Sequence, residues 1–89
     1  MKIITICGHG LGSSFMVESI IKQILNEEKI TAEVGHVDMA SANTVDADIY
    51  LVGKDLANSV SVNNLIVLNS LIDKTEIKEK LLAKIKEIK

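Results

Sequence analysis

Lys2-Ile3-Ile4-Thr5-Ile6-Cys7-Gly8-His9-Gly10-Leu11-Gly12-Ser13-Ser14 is the stretch that decides the fold. Residues 2–6 are β-branched and nearly continuous in apolar character, the pattern of a strand buried on both faces. Gly8, Gly10 and Gly12 then break the run. From residue 14 to about residue 28, apolar side chains recur at Val17, Ile20, Ile21, Ile24 and Leu25, with Glu18, Lys22, Gln23, Glu27 and Glu28 on the other side. That spacing predicts an amphipathic helix. A buried strand that passes through a glycine-punctuated turn directly into a helix opens a parallel α/β sheet.

Working outward, residues 31–37 (Thr-Ala-Glu-Val-Gly-His-Val) alternate enough to predict a second strand, and residues 48–52 and 65–68 a third and fourth. Residues 41–45 are expected to form a turn or half a helix, and residues 55–58 a short helix. From Asp73 onward, Ile77, Leu81, Leu82, Ile85 and Ile88 make one stripe of a closing helix. Asp73 with Glu76 three positions later has the form of a capping box in which Asp replaces the usual Ser or Thr. This order of elements predicts a mainly parallel sheet covered on both faces, a small α/β sandwich. Ligands of such sheets bind outside the carboxyl ends of the strands, and Cys7 sits at one of those ends.

The composition narrows the function. With 89 residues, 47% of them hydrophobic, and no proline, the chain supports one core, so residues 1–89 are read as a single domain. The formal charge is −2 and no residue is arginine, which leaves no electrostatic footprint for a nucleic acid. The single cysteine forms no internal disulfide or Cys-x-x-Cys pair, and points to a reducing compartment. Cys7, His9 and His36 fit no metal site in number or spacing, so no metal is expected, and no cofactor either. The apolar runs fall far short of the roughly 18 residues of a membrane span, and residues 3–7 are too few for a signal-peptide core. The expected location is the cytoplasm, without insertion into a membrane.

The chemistry concentrates in residues 7–14. Successive N–H groups of a glycine-rich turn can point inward as an anion-binding nest, and a helix N-terminus adds its own N–H groups and partial positive charge. A thiol in that field ionises more readily than the usual pKa of about 8.5 allows, which makes Cys7 a candidate nucleophile near neutral pH. Ser13 and Ser14 can offer hydroxyl donors to a bound phosphoryl group, one of them also capping the helix. The first turn of this helix contains no carboxylate, whereas the last helix opens with Asp73 and Glu76. Its positive end is left uncompensated, as a place kept for an anion would be.

Plainer readings stand beside this one. A lone cysteine ending a strand is commonly a small buried hydrophobe, and glycines serve tight turns that hold no ligand. Other phosphate loops fail on spacing. A Walker A loop needs a Gly-Lys-Ser/Thr ending, yet no lysine occurs between Lys2 and Lys22. In the dinucleotide fingerprint counted from Gly8 and Gly10, the third glycine position falls on Ser13. Asp38 could mimic the ribose-binding acid of that fingerprint, but the sheet is too small for both halves of such a site. A low-molecular-weight tyrosine phosphatase closes a similar cysteine loop with an arginine six positions after the cysteine. Here that position is Ser13, so the bidentate clamp on the transferring phosphoryl group is missing.

The segment Ile6-Cys7-Gly8-His9-Gly10-Leu11-Gly12-Ser13-Ser14 resembles the phosphocysteine loop of bacterial phosphotransferase-system IIB proteins, above all the ascorbate and galactitol type. The resemblance extends over the whole chain in length and element order, with this loop as its specific part. It implies a three-layer α/β/α sandwich with a four-stranded parallel sheet in the order 2-1-3-4. It implies also that Cys7 accepts a phosphoryl group from a histidine of a IIA protein and passes it to a carbohydrate held by the membrane-embedded IIC permease. Gly8, His9, Gly10, Leu11, Gly12, Ser13 and Ser14 would be the cradle. His9 has two readings, a partner of the thiolate or phosphoryl group and a solvent-facing loop residue. His36 is expected to be structural or simply exposed.

Leu11, Phe15 and Met16 flank the loop, and Phe15 and Met16 cannot both join the helix's core stripe. They are read as loop packing or as a docking surface for the IIA and IIC partners. The last helix, with six lysines and four acids from residue 73 to residue 89, is a solvated face. Two other functions stay open: a cysteine-dependent phosphatase or arsenate-reductase-like enzyme, and a regulatory module of the same fold that passes no phosphate on.

Overall fold

The computed structural model describes residues 1–7, 12–70 and 73–88, with the backbone alone for residues 7 and 12–14. Four strands, β1 (Lys2–Cys7), β2 (Glu33–Asp38), β3 (Ile49–Gly53) and β4 (Leu65–Leu68), form one sheet. Their order is β2-β1-β3-β4 and every pair is parallel. Two helices, α1 (Gly12–Glu27) and α2 (Lys74–Ile88), complete the chain. This is the α/β sheet, in the order, that the sequence and its resemblance led one to expect.

Alternation along the strands sends side chains to two different cores. Ile3, Ile49, Leu51, Ile66 and Leu68 face α1 and α2, where they meet Val17, Ile21, Ile24 and Leu25 of the first helix and Ile77, Leu81 and Ile85 of the second. Ile3, Ile21, Ile24, Ile49, Ile77 and Leu81 have no exposed surface at all. Each contributes roughly 1.5 to 3 kcal/mol of hydrophobic free energy. Both long helices therefore lie on one face. On the other, Ile4, Ile6, Tyr50 and Val52 are covered by Ala42 and by partly buried residues such as Val45, Leu56, Val60 and Val62. That thinner layer consists of loops carrying single 3-10 turns at Ala42–Thr44 and Ala57–Ser59, the two places where half a helix and a short helix were expected.

Element boundaries move by one or two residues for local reasons. β2 begins at Glu33 because Ile30 still belongs to the end of α1: its N–H bonds to the Leu25 carbonyl (2.9 Å) and the Lys29 N–H to that of Asn26 (3.3 Å). This is a Schellman closure with Lys29, at φ 57°, in the left-handed position usually given to glycine. β3 starts after Asp48, whose carboxylate accepts the Lys2 N–H at 2.6 Å while its own N–H bonds to the Lys2 carbonyl at 2.8 Å. Tyr50, buried on the thin side, holds that layer down. Its hydroxyl donates to the Val45 carbonyl and accepts the Ala47 N–H at 3.0 Å.

Asp73 caps α2 as its pattern predicts, accepting the N–H groups of Thr75 (3.0 Å) and Glu76 (3.2 Å). The Glu76 carboxylate goes elsewhere than a capping box would send it. It accepts the backbone N–H groups of Asn69 (2.8 Å) and Ser70 (3.0 Å), so that it ties the loop after β4 to the helix.

Candidate functional site

The path of the chain fixes where a ligand can bind. From β1 it runs through α1 to β2 on one side, then returns across to β3 on the other, so the direction of strand succession reverses between β1 and β3. The carboxyl ends of those two strands are the topological switch point of an open α/β sheet, the place where such sheets bind ligands. Cys7 is the last residue of β1, a central strand, and it pairs with Asp38 at the carboxyl end of β2.

Beyond it, Gly12, Ser13 and Ser14 form the first turn of α1. The first four N–H groups of any α-helix lack an intrahelical acceptor, and here no acidic residue stands in that turn to satisfy or neutralise them. Cys7 and the turn made by Gly12, Ser13 and Ser14 thus face the same end of the sheet in backbone terms. Gly8, His9, Gly10 and Leu11 lie outside the described residues.

Phe15 and Met16, which the helical periodicity could not both place in the core, are each 51% exposed. Neither joins the stripe. Asp38, the residue that could have mimicked a ribose ligand, instead closes the turn after β2, its Oδ1 accepting the Ser41 N–H at 2.9 Å.

The structure adds a cluster beside the helix start that spacing did not reveal. His36 of β2 stands level with Thr5 of β1, and its Nδ1 lies 2.9 Å from Oε2 of Glu18 in the second turn of α1. Glu18 is only 12% exposed and has Lys22 Nζ at 3.5 Å from its other oxygen. An ionised carboxylate can only accept, so the His36 Nδ1 carries the proton. The His36 ring also meets the ring of Phe15 edge to face, with centroids 4.6 Å apart and planes at 65°. His36, expected to be structural or simply exposed, thus makes its contacts to the helix that opens the site. Phe15 and Glu18 are three apart on one helix and could have been read as neighbours; only the register of β2 brings His36 to them.

Among the described residues, no helix is long and apolar enough to cross a membrane.

Comparison with known proteins gives the following likenesses. Residues 2–83 match the family described as the lactose/cellobiose-specific IIB subunit of the PTS system, a span that includes the whole cysteine loop. The chain is 28% identical over 86 residues to the ascorbate-specific PTS system EIIB component of Mycoplasma pneumoniae (strain ATCC 29342 / M129 / Subtype 1), covering 91% of this chain and 90% of that protein. It superposes with a TM-score of 0.61 on the solution structure of a low molecular weight protein tyrosine phosphatase from Bacillus subtilis, at 15% identity and 98% coverage of both chains. At that identity the last likeness is one of fold.

Proposed function

The chain belongs to the PTS IIB family, a family of phosphotransferase-system components, and from that premise we propose that it carries a phosphoryl group on Cys7 between two partners. In the first step the Cys7 thiolate attacks phosphorus, an S–P bond forms and the P–N bond to a histidine of the IIA protein breaks. In the second, a hydroxyl of the carbohydrate held by the IIC permease attacks phosphorus, its proton passing to solvent, and the S–P bond breaks, leaving the thiolate as it began. The carbohydrate is ascorbate- or galactitol-like, and the near full-length likeness to an ascorbate-specific component supports the first of the two. The protein works in the cytoplasm, reaching the inner face of the membrane through its permease.

The observation that carries this reading is the placement of Cys7 at the carboxyl end of a central strand, next in the chain to a helix whose first turn holds no acid. Phosphoryl transfer needs in-line positioning and stabilisation of charge on three equatorial oxygens. By its sequence, the segment of residues 8–14 can offer those oxygens backbone N–H groups and the hydroxyls of Ser13 and Ser14. Because the chain has no arginine, the phosphoryl group is held by neutral donors and stays transferable, where a guanidinium clamp would favour hydrolysis. That is why the phosphatase likeness is taken as one of fold and not of activity. Phe15 and Met16, exposed in the first turns of α1, are the apolar residues on which the two partners would dock in turn, with Leu11 assigned to that surface from the sequence alone.

Intact-mass measurement after incubation with the general phosphotransferase components and a cognate IIA protein tests the assignment. One phosphoryl group should appear on the wild-type protein and none on Cys7→Ser; a Cys7→Ser protein that still gains phosphate overturns it.

A further inference from the structure

The sheet has two edge strands, β2 and β4, and they differ in chemistry. β2 begins at Glu33 and ends at Asp38, acids that repel the same acids of a second copy laid against it. β4 is Leu65-Ile66-Val67-Leu68, four apolar residues with no charge among them. A strand of that composition pairs readily with its like when its edge is open. The ladder shows which groups β4 presents. The Asn64 and Leu68 carbonyls accept the N–H groups of Tyr50 (3.1 Å) and Lys54 (3.0 Å), so residues 64, 66 and 68 bond towards β3 while Leu65 and Val67 turn their N–H and C=O groups outward.

Two such edges fit one another. Laid antiparallel, with Leu65 of one copy opposite Val67 of the other, they would pair all the outward groups of both strands and cover the Val67 side chain, which is 36% exposed. What stands in that place is Lys80 of α2. Its Nζ donates to the Val67 carbonyl at 2.7 Å and to Oε2 of Glu76 at 2.7 Å. Glu76 is itself fixed by the N–H groups of Asn69 and Ser70, so the ammonium group is aimed at the strand and not merely near it. It sits where the N–H of a second strand would arrive, and a symmetric pair would bring two such cations to one short join.

We propose that Lys80 closes the β4 edge against a second copy of this chain, and so keeps two sheets from joining into one. Lys80→Met retains most of the aliphatic stem and removes the ammonium group. By sedimentation equilibrium on the full chain, with circular dichroism to establish folding, it should self-associate about tenfold more tightly than the wild type, the worth of the two hydrogen bonds that a symmetric pair gains when both Val67 carbonyls are freed. As its concentration rises, the Leu65 and Val67 N–H groups should exchange with deuterated solvent more slowly, with no such change in the wild type. Two further variants separate edge closure from simple loss of charge or stability. Lys86→Met removes a lysine from the last turn of the same helix. Glu76→Gln removes the ionised partner of Lys80 but leaves the ammonium group within reach of Val67. Neither should associate more than the wild type.

A folded Lys80→Met protein that associates no more than the wild type, or that associates without slower exchange at Leu65 and Val67, overturns the inference. So does concentration-dependent slowing at those two residues in the wild type, or equal association of Lys86→Met or Glu76→Gln. Lys80→Ala repeats the test with no side chain left to reach the edge, and decides it in the same way if the methionine variant does not fold.

Discussion

Glu76 shows how one side chain can hold two elements together. Its carboxyl is lowered from 4.5 to about 2, first by the hydrogen bond from Lys80, then by the backbone N–H of Asn69 and, more weakly, that of Ser70. Lys80 Nζ, 2.7 Å from Oε2, also donates to the Val67 carbonyl at 2.7 Å, so α2 is bound to both β4 and the loop after it. A carboxyl depressed in the folded state adds stability that is fully present above its unfolded pKa and is lost as pH falls through its folded pKa. The window is therefore from about 4.5 down to about 2. Glu76→Gln should melt below the wild type at neutral pH, and the gap between their melting temperatures should close across that window. A gap independent of pH would contradict the assignment. The pairing of Asp73 with Glu76 was legible as a helix start, but the donors Glu76 reaches were not, since Asn69 and Ser70 stand on the far side of a chain reversal that sequence spacing does not fix.

At the scale of elements, we propose that the first turn of α1 gives up stability for a place to hold an anion. An acid there would stabilise the helix by roughly 0.3 to 1 kcal/mol, and the chain leaves it out. Ser14→Asp should accordingly raise the melting temperature while slowing phosphoryl acceptance from the IIA protein, because its carboxylate competes for the N–H groups and repels the incoming charge. A variant in which both properties rise together would refute this account of the helix start. The bodies of α1 and α2 could be read from their stripes, Val17 to Leu25 and Ile77 to Ile85, since helical period and burial coincide there. The start of α1 at Gly12 instead of Ser14 was not legible, as glycine and serine favour loops by propensity and tertiary context overrides them. The Glu18 to His36 contact was hidden for a different reason: strand register is a long-range property.

For the molecule as a whole, the parallel sheet followed from the strength of its strands, with Leu65–Leu68 at the very residues expected and β3 buried along its length. The order of those strands is not contained in any local period and came through the resemblance. The uneven covering of the two faces follows from segment lengths. Residues 39–48 and 54–64 are barely as long as the shortest parallel crossover, so each has room for a single 3-10 turn and no α-helix. The cradle around Cys7 rests on the sequence motif alone, since residues 8–11 lie outside the described residues. All of this converges on one claim, that the fold keeps a thiol-bound phosphoryl group transferable. The direct measurement is a single-turnover chase: the protein, labelled on Cys7 with isotopic phosphate and freed of donor, is mixed with unphosphorylated IIA protein. The account predicts that the label returns to the IIA histidine faster than it appears as inorganic phosphate; release of inorganic phosphate as the dominant route would contradict it.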